Sequence, residues 1–196
     1  MAICAYSMAP ARATACRYAA DFEEALNSFS MVSSLDAARP CATEKEEIFE
    51  LLRSLHASVH SKGGLKQKRL QLLRSQLQSR AEALGCAGAL ADLDGGRNAN
   101  SLWCVTLGDI EDPQEVQRRG EFMSWRLAVS HDEIFFALCC YGPRLTGMLS
   151  PGTVNSVRGA VLGRVFANNG GEVYDFPMVL VDGESSIRVQ EKLKVS

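Results

Sequence analysis

The chain is organised around the stretch from Glu121 to Tyr141, whose apolar and polar positions read as two strands joined by the turn Ser130-His131-Asp132-Glu133. In the first strand Met123, Trp125, Leu127 and Val129 share one face and Ser124 and Arg126 the other, the period-two pattern of a half-buried strand. The second, Ile134 to Tyr141, is apolar on both faces and must be covered on both, which places it mid-sheet or in a barrel wall. Alternation also predicts a strand over Leu102 to Leu107, with Trp103, Val105 and Leu107 together, and one from Ile187 to Val195. Val154 to Ala167 carries strand signals with Gly159 and Gly163 inside, a spacing suited to sharp bending or bulges. Asn168-Asn169-Gly170-Gly171 turns this strand into Glu172 to Phe176 as a hairpin. Pro177 is expected to interrupt, with Met178 to Val181 continuing beyond it.

Upstream the period becomes helical. Phe22, Leu26, Phe29 and Val32 predict a short helix over Asp21 to Leu35. Thr43-Glu44-Lys45-Glu46 reads as a capping box, followed by an apolar stripe of Ile48, Leu51, Leu52, Leu55 and Val59. Gly63-Gly64 supplies the left-handed close, and a second helix follows from Leu65 to Leu84 with Leu70, Leu73, Leu77 and Leu84 on its stripe. Two helices and then six or seven short strands imply an α+β fold, an N-terminal helical hairpin followed by a curved antiparallel β-sheet or lipocalin-like barrel. Residues 1–40 are expected to form a tail, hinged at Ser33 to Pro40, and residues 41–196 a single domain.

Composition narrows the function classes. With 196 residues, 46% hydrophobic and 22% charged, the chain can bury one sizeable core. A net charge of -2 lacks the basic excess of a nucleic-acid binder, so no nucleic-acid partner is expected. No apolar run approaches the ~20 residues of a membrane-spanning helix. Residues 1–20 hold Arg12 and Arg17, many alanines and no acid, the composition of a transit peptide or of an Ala-rich start. Lys62, Lys66, Lys68, Arg69, Arg74 and Arg80 follow one another with no acid between. Lys62, Lys66, Arg69 and Arg74 are therefore candidates for contact with an acidic protein partner or an anionic lipid surface, against the alternative of a solvated helix face.

Chemical signatures are missing. The seven cysteines show no CxxC pair, which points to reduced, buried thiols rather than a zinc site or disulfide framework. His131 lies near Cys139 and Cys140 in sequence, but nothing orients the ring and both thiols read as buried. His56 and His60 share a helical face at a spacing compatible with a metal and lack a third ligand nearby. No catalytic residue, metal or cofactor is expected.

The order of several short motifs resembles the plastid lipid-associated proteins, or plastid fibrillins, over residues 43–195. The matching pieces are Gly64-Leu65, Leu93-Asp94-Gly95 before Trp103, Gly152-Thr153-Val154-Asn155, and Val181-Asp182 ahead of Ile187-Arg188. The chain departs from the family in the long spacing from Gly95 to Trp103 and in lacking the closing Gly-x-Leu-Phe-Val. The resemblance implies a lipocalin-like barrel that carries an apolar molecule, a lipid, carotenoid or prenylquinone, in a plastid; without it the location is cytoplasmic. Trp103, Trp125 and Phe136 are the residues expected to line such a cavity. The function expected is a non-enzymatic carrier. The alternatives are an assembly or scaffold protein with no cavity, which binds a protein partner through its basic helix and sheet surface, and an enzyme acting on an apolar substrate in a similar cavity.

Overall fold

The architecture comes from a computed structural model that describes residues 11–17, 19–36, 38, 41–83, 90–92, 96–97, 102–110, 123–141, 149–182 and 187–192. Helices come first: α1 (11–17), α2 (Phe22–Leu35), α3 (Ala42–His60) and α4 (Gln67–Ala83). The strands are β1 (Gly96–Arg97), β2 (Leu102–Ile110), β3 (Met123–Ser130), β4 (Phe135–Tyr141), β5 (Thr153–Val157), β6 (Val161–Asn169), β7 (Glu172–Asp182) and β8 (Ile187–Lys192). The α+β class is as expected. Expectations for Leu84, Leu93-Asp94-Gly95 and residues 193–196 lie outside the described residues.

Each helix end has a local cause. Asp21 caps α2 by accepting from the Glu24 amide at 3.2 Å. The expected capping box at Thr43 does not form: α3 begins at Ala42, its N-cap is Cys41 in the left-handed region, and no side chain caps it. Cys41 is buried and Thr43 exposed, so anchoring the thiol in the core sets the start of the helix two residues early. Between α3 and α4 the chain reverses through Lys62, Gly63 and Gly64, all at positive φ, as the Gly pair predicted.

The strands form one eight-stranded sheet in the order β1-β6-β7-β4-β3-β2-β5-β8. It is mixed rather than antiparallel throughout, because β4 and β7 run parallel. Its shape follows from connectivity. β5 and β6 lie five strand positions apart, about 24 Å in a flat sheet. Only Arg158, Gly159 and Ala160 join them, a reach of at most about 15 Å. The sheet must therefore roll up, and the bend falls at Gly159, whose φ is +64. β5 and β6 pair antiparallel with β8 and β7 respectively, and the chain folds back between β6 and β7 at Gly170-Gly171 to form a ribbon of these four strands. β5 joins this ribbon to β2 and β7 joins it to β4. Among the described residues β1 and β8 pair with inner neighbours and not with each other, so the roll is open and the lipocalin-like closed barrel is not formed.

Pro177 does not interrupt β7, which continues from Glu172 to Asp182. Counting from the two-residue turn, Pro177 and Arg164 form a non-hydrogen-bonded pair, so the proline nitrogen points away from β6. Toward β4 the pairing begins only at Met178, and no ladder bond is lost.

The two faces differ. All helices pack on the outer face, where Trp103, Trp125, Leu127, Phe135, Tyr174, Phe176 and Met178 meet Phe22, Phe29, Leu51, Leu55, Leu73 and Leu77. The inner face carries Leu102, Cys104, Ala128, Phe136, Leu138, Cys140, Val157, Val179 and Val181. Among the described residues no α-helix supplies a residue to that inner cluster, and the short segments at Leu90 and Leu149 pack against it. Ala13, Phe22, Ala25, Phe29 and Val32, from the stretch expected to form a tail, belong to the outer core, so α1 and α2 pack on this body. Strand β3, expected to be half-buried, is buried at every position, Ser124 and Arg126 included.

Candidate functional site

The expected site was the interior of the sheet. There Leu102, Cys104, Phe136, Leu138, Cys140, Val157, Val179 and Val181 are all 0% exposed, so side chains fill this part of the roll. Toward one end the lining turns polar. Asn155 donates through Nδ2 to Thr106 Oγ1 at 2.8 Å and to the Thr153 carbonyl at 3.1 Å. Its Oδ1 is buried with no partner among the described residues. Arg126 is buried on the same face, paired with Asp109 at 2.9 Å and donating to the Trp125 carbonyl at 3.2 Å.

The three residues expected to line a cavity are not brought together. Trp103 and Trp125 face the helices, with Phe22 and Trp125 ring centroids 6.0 Å apart, whereas Phe136 faces the interior. Both indole N–H groups are buried without an acceptor among the described residues. Alternation put the two tryptophans on one face but could not say which face the helices would cover.

The acid, base and thiol candidates have structural work. Asp132 accepts from the Leu90 and Ala91 amides at 3.3 and 3.1 Å, tying the short turn at residues 90–92 to the β3–β4 hairpin. Burial pushes its carboxyl up, but hydrogen bonds from Ser130, Ala91 and Leu90 outweigh this and hold it below the usual range. Glu133 sits at φ 63 and pairs with Arg74 at 3.2 Å. Burial pushes the thiols of Cys104 and Cys140 up to about 12, in Cys140 against the pull of Arg126. Cys139 is likewise raised by burial. None of these three is a thiolate near neutral pH.

His56 and His60 lie with ring centroids 4.1 Å apart, their planes tilted by 43°, between α3 and β7. His60 Nε2 donates to the Asp175 carbonyl at 3.0 Å, and His56 meets Tyr174 and Phe176 edge-on. Burial, and then the neighbouring His60, hold His56 below the ordinary imidazole value. Asp175 is occupied by Arg164 at 2.6 and 2.8 Å, and Glu172 pairs with Arg53 at 3.4 Å. Among the described residues no three His, Cys, Asp or Glu side chains are grouped to hold a metal.

The basic face is partly spent within the chain. Arg74 pairs with Glu133, and Lys62 Nζ lies 5.8 Å from the Phe135 ring centroid. Lys66 is exposed and Arg69 half-buried, next to Leu72 at 55% exposure.

A ligand-sized opening lies elsewhere, outside the roll. A groove of about 530 Å³ runs between α2, α3 and the end of β6. Leu26, Phe49, Ala42, Ala167 and Phe166 supply its apolar surface, and Glu23, Asn27, Lys45, Glu46, Asn168 and Asn169 its polar surface. Phe166 is 62% exposed. Sequence reading missed this site, although one signal was present. Val165 and Ala167 set the buried phase of β6, so Phe166 stands among Arg164 and Asn168 on the phase that should be polar. No protein-family model matches this sequence and no curated protein matches it significantly, so the assignment of the site rests on its own residues.

Proposed function

We propose that this chain is a non-enzymatic binding protein of the assembly or scaffold kind, which engages a protein partner on its outer surface. One observation carries the reading: the apolar centre of the inner face, from Leu102 and Phe136 to Val179 and Val181, is 0% exposed, while a ligand-sized opening lies outside the roll beside an exposed aromatic, Phe166. The basic surface at the start of α4, with Lys66 just before the helix and Arg69 and the exposed Leu72 on it, is a second contact surface on the same account. Buried, protonated thiols and carboxylates committed to structural bonds support a role without covalent or acid–base chemistry.

A second reading has support from the size and aromatic wall of the groove. An apolar small molecule such as a lipid, carotenoid or prenylquinone, as the likeness to plastid fibrillins implies, takes Phe166, Phe49 and Leu26 as its wall. Residence in a plastid belongs to this reading. Native mass spectrometry of the protein from its source, followed by organic extraction, separates the two. An apo mass with a co-purifying protein subunit supports the scaffold; a stoichiometric lipid or pigment overturns it in favour of the carrier.

A further inference from the structure

The groove is bounded on one side by a strand edge. β1 pairs with β6 only at Val161 and Leu162, and among the described residues nothing pairs with that side of β6 from Gly163 to Asn169. Asn169 and Glu172 flank the turn Gly170-Gly171 and form the hydrogen-bonded pair that closes a two-residue hairpin. In an antiparallel ladder such pairs alternate with pairs whose N–H and C=O groups point away from the partner strand. The register then turns the backbone groups of Asn168, opposite Val173, and Phe166, opposite Asp175, outward. Both residues line the groove.

Outward N–H and C=O groups at every second residue, beside an apolar trough under a helix, are the elements by which a sheet accepts an added strand. The trough has Leu26 and Phe49 on the helix side, positions that alternate side chains of an extended segment can fill. Lys45 and Glu46 stand at the same wall. A small molecule gains nothing from two spaced backbone rungs, whereas a peptide main chain matches them. Resting on the reading of this groove as a binding surface, we propose that its occupant is an extended peptide segment of a partner protein, which adds to β6 beside Phe166 and Asn168 and lays alternate apolar side chains against Leu26 and Phe49.

The probe is a random dodecapeptide library displayed on phage and panned against the full chain, with selected peptides then titrated against two variants. Phe166→Pro removes the outward N–H and fills the edge with the proline ring, but leaves the β6–β7 ladder intact because that N–H does not bond to β7. Phe166→Ser keeps the N–H and removes the aromatic. The expected result is a selected peptide that slows amide exchange at Phe166 and Asn168 and loses about tenfold in affinity or more to Phe166→Pro, with a smaller loss to Phe166→Ser. If Phe166→Pro does not fold, Asn168→Pro poses the same question at the next outward position. Equal losses for both Phe166 variants, without protection of the two amides, overturn strand addition while leaving the groove as a binding surface. A library that returns no binder overturns the peptide as occupant, and the native mass then decides separately between scaffold and carrier.

Discussion

Arg17 Nη1 donates to Glu47 Oε2 at 2.7 Å, a contact between α1 and α3 in which the two side chains are 7% and 18% exposed. Removing one partner leaves the other charge buried, so Arg17→Ala should cost about 3 kcal/mol in urea unfolding. Arg17→Met with Glu47→Leu should recover most of that loss, since an apolar pair of similar size is tolerated where a buried charge stripped of this contact is not. The same contact bears on the start of the chain. Deleting residues 1–20 should lower the unfolding midpoint; an unchanged midpoint would mean that this segment is an appendage after all.

The two glycines between α3 and α4 form a controlled pair. Gly63 and Gly64 have φ of +60 and +68, but a Cβ on Gly63 would lie 2.8 Å from Leu127 Cδ2, while one on Gly64 would meet nothing within 4 Å. Gly64→Ala should cost about 1–2 kcal/mol from backbone conformation alone. Gly63→Ala should cost measurably more, because Leu127 is in the packed core. Equal losses in chemical denaturation would show that Leu127 yields freely.

Thiol accessibility checks the packing of the roll. Cys104 and Cys140 are buried with thiols at about 12. Cys139 is buried and raised, and Cys16 is only half-buried. Iodoacetamide at pH 8, followed by peptide mapping, should modify Cys16 in the native protein and reach 104, 139 and 140 only on unfolding. Rapid native labelling at Cys104 or Cys140 would reveal an open interior.

His56 links stability to pH. His56 is held below its ordinary value of about 6.5 by burial and then by His60, so the unfolded chain binds a proton more readily than the native one. Stability should therefore fall as pH drops from about 6.5 through the lower native value, and level off below it. His56→Gln should flatten this segment of a plot of unfolding midpoint against pH. A slope there unchanged by the substitution would assign it to another group.

Much of this fold could be read from local pattern. The β3–β4 hairpin, the Gly63-Gly64 reversal, the Asn168 to Gly171 turn and the bend at Gly159 each leave a mark within a few residues, because backbone conformation there is decided locally. The parallel pairing of β4 with β7 leaves none, since it depends on where the ribbon of β5 to β8 docks. Trp103 and Trp125 were placed together by alternation, but which face the helices cover is a tertiary choice. The groove escaped for the same reason: Leu26, Phe49 and Phe166 come from three elements, and only the apolar residue on the polar phase of β6 announces it.

The central claim is that the roll is filled and that binding takes place outside it. Titration of the native chain and of Phe166→Ser with a fluorescent fatty acid, read by probe emission, tests this most directly. The account predicts no one-to-one uptake that survives Phe166→Ser. A saturable, one-to-one complex of equal affinity in both proteins would place a cavity within the sheet and contradict it.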